Sequence, residues 1–132
     1  MRLASTRLIV ADIKAMASFY EMVTGVSGQW LAPVFVEFVT SGATLAIGAA
    51  ETVAFWAEGS SEPAANRTAC IEFQVQDVDA EFERLRGKIE CVCDVKTMPW
   101  GNRTFQFRDP EGNAISFYTT VTDEARKRFM SR

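Results

Sequence analysis

Cysteine, carboxylate, arginine and tryptophan carry whatever chemistry this chain can perform, because its 132 residues contain no histidine. That absence removes the commonest general base and the commonest metal-ligating side chain. A mechanism built on this sequence must draw on Asp, Glu, Arg, Tyr, Cys, Ser or backbone groups. The cysteines are odd in number: Cys70, Cys91 and Cys93. Cys91 and Cys93 stand two apart in an expected strand, which would put them on one face. All three read as free thiols of a reducing cytoplasm. Trp30, Trp56 and Trp100 fall in expected loops or at strand ends. A flat ring there can stack on a planar ligand or fill a core or dimer interface.

Two passes of one structural plan position these residues. The first begins with a predicted strand at 6–10, then Asp12 as a helix N-cap. A helix at 13–24 follows, with Met16, Phe19, Tyr20 and Val23 at the spacing of one face, and Gly25 closes it. Strands are predicted around 29–31, 34–39 and 44–47, with Ser41-Gly42 as the turn. The second pass has a strand at 69–75, the cap Asp77, a helix at 78–85 ending near Gly87, and strands near 90–95, 103–108 and 114–119. Between the last two strands lies Asp109-Pro110-Glu111-Gly112-Asn113. Proline presets φ, glycine accepts a positive φ, and Asp and Asn hydrogen-bond their own backbone, so this segment predicts a tight hairpin. Asp12 and Asp77 are 65 residues apart and Gly42 and Gly112 are 70 apart, which points to internal duplication.

The expected organisation is one domain over 1–132. Repeat one covers 5–48, a connector 49–66, repeat two 67–120 and a C-terminal helix 121–132. In that helix acidic residues come early and basic ones late, in the order that suits a helix dipole. Hydrophobic residues make up 48% of the chain, enough for a packed core. The net charge of −3 gives no basic stripe for nucleic acid. No apolar run approaches the ~20 residues of a membrane helix, and 1–6 lacks the apolar core of a secretory signal. The expected compartment is the cytoplasm, without nucleic-acid or membrane partners.

Asp12-Ile13-Lys14, Ser18-Phe19-Tyr20 and Gly25, followed by Val36-Glu37-Phe38, Gly42 and Leu45-Ala46-Ile47, resemble the first repeat of the vicinal oxygen chelate superfamily. Phe73-Gln74-Val75-Gln76-Asp77-Val78-Asp79, Pro99-Trp100-Gly101, Arg103 and Asp109 to Asn113 resemble the second. That superfamily includes glyoxalase I, extradiol dioxygenases, fosfomycin-resistance enzymes and bleomycin-resistance proteins. The resemblance implies an α+β fold of two βαβββ modules forming a curled mixed sheet, with a ligand in a concave cup and pairing into a homodimer. Metal-dependent members place His and Glu ligands seven residues before each capping Asp and four after each hairpin Gly. The matching positions here are Ser5, Ala46, Cys70 and Ser116. Alanine cannot ligate, serine hydroxyls ligate poorly, and one thiol is far from a closed shell. The expectation is therefore no metal and no cofactor.

If Ser5 and Cys70 point into the cup, strand alternation sends Arg7, Ile9, Glu72 and Gln74 there too. On the closing hairpin Thr104, Gln106, Arg108, Ser116 and Tyr118 would face the cup, with Phe105, Phe107, Ile115 and Phe117 in the core. The expected ligand-binding set is Arg7, Trp56, Cys70, Glu72, Gln74, Trp100, Gln106, Arg108 and Ser116, with no catalytic residue. Arg7 and Arg108 would meet anionic or carbonyl groups, Glu72 and Gln74 would orient the ligand, and Trp56 and Trp100 would stack. Cys70 reads as a small buried hydrophobe rather than a nucleophile. The function this supports is metal-independent binding, as sequestration, of a small planar or amphipathic molecule, in the manner of bleomycin-resistance proteins. Two other readings stand beside it. One is an enzyme of the superfamily with relocated ligands, for which Glu37, Glu72, Asp109 and Cys70 are the candidates. The other is an interaction module whose cup is filled by its own side chains.

Overall fold

Asp12 and Asp77 each start a helix in the same way. Both are extended, and each carboxylate accepts the N–H three residues on, from Ala15 at 3.0 Å and Ala80 at 3.1 Å. Such a cap satisfies one of the backbone donors a helix start leaves open. The helices are α1, Ile13–Thr24, and α2, Val78–Leu85. Gly25 stops α1 at φ 71, and its N–H bonds the Glu21 carbonyl at 2.9 Å. The computed structural model describes residues 1–130.

Two four-stranded mixed sheets carry the helices. The first contains β1 (Ser5–Val10), β2 (Gln29–Ala32), β3 (Phe35–Val39) and β4 (Thr44–Ala49), in the order β1-β4-β3-β2. The second contains β5 (Cys70–Gln74), β6 (Glu90–Thr97), β7 (Asn102–Arg108) and β8 (Ala114–Thr120), in the order β5-β8-β7-β6. In each sheet the first strand pairs parallel to the last, and the other pairs are antiparallel. The α+β class and the βαβββ order of each half follow the sequence expectation. The chain separates into two compact units, Met1–Asn66 with Pro110–Gly112, and Arg67–Asp109 with Asn113 onward.

In the first unit α1 packs its buried Met16, Ala17, Tyr20 and Val23 toward β3 and β4. Tyr20 meets Phe38 with ring centroids 6.0 Å apart. Glu111, at the hairpin tip grouped with this unit, accepts from Ala11 N–H at 2.8 Å and Asp12 N–H at 3.0 Å, so it holds the turn from β1 into α1. In the second unit Phe105, Phe107 and Phe117 form an aromatic cluster, with Phe73 against Phe117 and Phe82 of α2 against Phe105. Offset and edge-on rings at these spacings add to plain area burial. Arg103 of β7 donates through Nε and Nη2 to both carboxylate oxygens of Asp79 on α2, each at 2.9 Å.

Two details depart from the sequence reading. The connector contains a 3₁₀ helix, Ala50–Phe55. The pairing of β6 with β7 shifts between Cys91 and Cys93, setting Cys91 opposite Phe107 and Cys93 opposite Gln106. A bulge of this kind breaks the period of two, so the two cysteines do not share the face simple alternation assigns them. The last helix, α3, runs Asp123–Met130, and 131–132 of the expected 121–132 lie outside the described residues. No helix among the described residues is long and apolar enough to cross a membrane.

Gly101 seats α3. It holds φ 91, and a Cβ there would run into Thr122 Oγ1 and come within 2.9 Å of Ala125 Cβ. Gly101→Ala combines a left-handed backbone with a steric clash, so denaturant unfolding should show a loss of at least about 2 kcal/mol. The Asp79–Arg103 fork has a pH signature. The hydrogen bonds from Arg103 hold the Asp79 carboxyl below its ordinary value. A depressed folded pKa contributes stability above the unfolded value and loses it as pH falls. The stability gap between wild type and Arg103→Gln should therefore narrow as urea titrations move from about pH 6 to below about 3.9.

Candidate functional site

The central strand of the second sheet, β8, sorts its side chains by alternation. Ile115 and Phe117 are buried on the aromatic side, and Ser116 and Tyr118 point the other way. Ser116 lies between Glu72 of β5 and Gln106 of β7, its paired neighbours. Gln74, Tyr118 and Thr104 form the row on one side, and Cys70, Ala114 and Arg108 the row on the other. The result is a polar face of amides, hydroxyls, a thiol, a carboxylate and a guanidinium.

Three of these groups touch. Cys70 Sγ is 3.2 Å from Ser116 Oγ. Gln106 Nε2 donates toward Ser116 Oγ at 3.3 Å and Cys70 Sγ at 3.5 Å. Ser116 is buried beneath them, whereas Cys70, Glu72 and Gln74 are exposed and Gln106 and Arg108 are half-buried. Cys70 is thus an exposed thiol, not the buried filler expected, because β5 is a sheet edge and its polar face is open. Cys91 is held as a thiol: burial, aided by Asp94 beside it, raises its pKa. Trp100 is exposed at the Asn102 end of β7, where its carbonyl accepts from Arg128. Among the described residues no hydrogen bond joins its indole to the Cys70–Gln106–Ser116 group.

The first sheet presents its own polar face. Arg7, Ala46, Glu37 and Gln29 form one row across four strands. In the next row, a Cβ on Gly48 would lie 3.6 Å from both Ile9 and Phe35. It would also press on Thr52 Oγ1 of the 3₁₀ helix at 2.9 Å, so the connector folds onto this face. Trp56 follows that helix, and the Arg7 guanidinium carbon lies 3.6 Å from its ring centroid. Arg7 and Trp56 are therefore brought together within the first unit. Parity from Ala46 shows that Glu37 shares the face, but its register depends on β3–β4 pairing that the sequence does not display.

The four positions matching the superfamily's metal ligands hold Ser5 and Ala46 in one sheet and Cys70 and Ser116 in the other. Cys70 and Ser116 are hydrogen-bond neighbours rather than a chelating pair. Among the described residues no three His, Cys, Asp or Glu side chains gather as a metal shell would require. Asp109, a relocated-ligand candidate, instead accepts from Asn113 N–H at 3.0 Å and Asn113 Nδ2 at 2.8 Å, and is buried in that role. These donors do not fit a divalent ion.

Residues 2–117 match the sequence profile of the Glyoxalase/Bleomycin resistance protein/Dioxygenase superfamily. The uncharacterized protein YraH of Bacillus subtilis (strain 168) is 29% identical across 89% of this chain and 98% of its own length. A protein of unknown function from Agrobacterium tumefaciens str. C58 superposes with a TM-score of 0.77 at 29% identity, covering 92% of this chain and 95% of that one. A glyoxalase/bleomycin resistance protein/dioxygenase family enzyme from Burkholderia phytofirmans PsJN shares the fold, with a TM-score of 0.77 at 19% identity over 92% and 100% of the two chains. The chain belongs to the Glyoxalase/Bleomycin resistance protein/Dioxygenase superfamily.

Proposed function

We propose that this protein binds a small planar or amphipathic organic molecule without a metal ion, and that its role is sequestration rather than catalysis. The observation that carries this reading is the Cys70–Gln106–Ser116 group, a hydrogen-bonded set of uncharged donors and acceptors at and beside two family metal-ligand positions. Glu72, Gln74 and Arg108 share that face and add charged and amide anchors. Ligand sites commonly join a few such anchors to apolar surface. In the first unit the exposed Trp56 and the Arg7 stacked on it supply an aromatic plane and a cation. Trp100 is proposed as a second stacking ring. The protein is further proposed to work as a cytoplasmic homodimer.

A thermal-shift screen with an aromatic-rich small-molecule library tests the binding role. A true ligand at 100 times its Kd should stabilise the fold by about 2.7 kcal/mol. Gln106→Leu should weaken that ligand about tenfold, the scale of one hydrogen bond to a charged or desolvated group. A screen without a single stabilising compound favours an interaction module. Elemental analysis of protein grown with Mn, Fe, Ni and Zn should find no stoichiometric metal, and a one-to-one metal content would overturn the metal-free reading.

A further inference from the structure

The polar face of the first sheet carries a cation and an anion that are kept apart. Arg7 and Glu37 both pair with Ala46, from opposite sides. Two strand spacings put their Cα atoms about 10 Å apart. Ala46 contributes only a methyl group between them. Among the described residues no ion pair joins Arg7 or Glu37 to any partner. With a strand between them the two are not direct cross-strand partners. The Arg7 guanidinium lies over the Trp56 indole instead.

Stacking of that kind also prepares Arg7 for a ligand. The N–H groups of a guanidinium lie in its own plane, so a ring against its face leaves them unobstructed. They form a fork matched to a carboxylate. Glu37, half-buried two strands away, offers two acceptor oxygens suited to an ammonium group. Gln29, next in the row, adds an amide. A molecule with one charge satisfies one end of this row and leaves the other unanswered.

We propose that the Arg7–Ala46–Glu37 row is a recognition site for a zwitterion, with the carboxylate at Arg7, the ammonium at Glu37 and an apolar body beside Trp56. This rests on the metal-free binding reading and narrows its ligand class to amino-acid-like compounds. Glu37 becomes a specificity residue, and the small side chain at position 46 makes the room.

Calorimetric titration with two charge-graded series tests the site. One is L-tryptophan, 3-indolepropionate and tryptamine. The other is L-phenylalanine, 3-phenylpropionate and phenethylamine. In at least one series the zwitterion should bind about tenfold more tightly than either singly charged analogue, the scale of one charge-assisted hydrogen bond. Glu37→Gln should erase the advantage over the acid and keep the advantage over the amine. Arg7→Gln should do the reverse. An acid that binds as tightly as its amino acid, or a Glu37→Gln protein that keeps the wild-type order, overturns the zwitterion site and leaves metal-free binding standing. If all six compounds fail to bind, the zwitterion site is likewise overturned, and the library screen alone then judges the broader reading. The comparison of analogues on wild-type protein is informative even if a variant does not fold.

Discussion

The period of two along a β-strand is the constraint on which everything else in this protein rests. On β8, Ile115 and Phe117 must reach the aromatic core while Ser116 and Tyr118 stay with the polar groups. A slip of one residue would exchange the two sets and put hydroxyls among phenylalanines. Burial of the ring cluster therefore fixes the register, and the register in turn sets Ser116 between Glu72 and Gln106. The polar face is a by-product of the core: the same pairing that buries the rings arranges it.

That dependence explains why much of the architecture was legible from sequence. Helix starts were marked by Asp12 and Asp77, whose side chains act locally. The stop at Gly25 needed a left-handed residue. The alternation of Phe105, Gln106, Phe107 and Arg108 needed only a strand to become two faces. Local chemistry and short periodicity carried all of these. What escaped depends on contacts between distant segments. Nothing periodic in 49–66 announces that Thr52 will meet Gly48, or that Trp56 will lie on Arg7. The shifts in β6 are likewise invisible, because a bulge is defined by its partner strand. Asp109 looked like a possible ligand, yet its carboxylate closes its own hairpin through Asn113.

The duplicated plan has diverged in chemistry more than in form. Corresponding rows read Arg7–Ala46–Glu37 in the first sheet and Glu72–Ser116–Gln106 in the second. One has separated charges over a methyl floor, and the other a hydroxyl floor bonded to its neighbours. The backbone geometry tolerates both because side chains on this face do not hold the core. Function can drift on one side of a sheet while packing constrains the other.

Glu111 imposes an order on events. Its carboxylate completes the start of α1 through Ala11, which lies 100 residues earlier in the chain. A nascent chain emerging from the ribosome therefore leaves these two amides to water until the segment carrying Glu111 has been made. The helix start of the first repeat is thus completed by a residue of the closing hairpin, and contacts of such long sequence separation slow a fold's assembly.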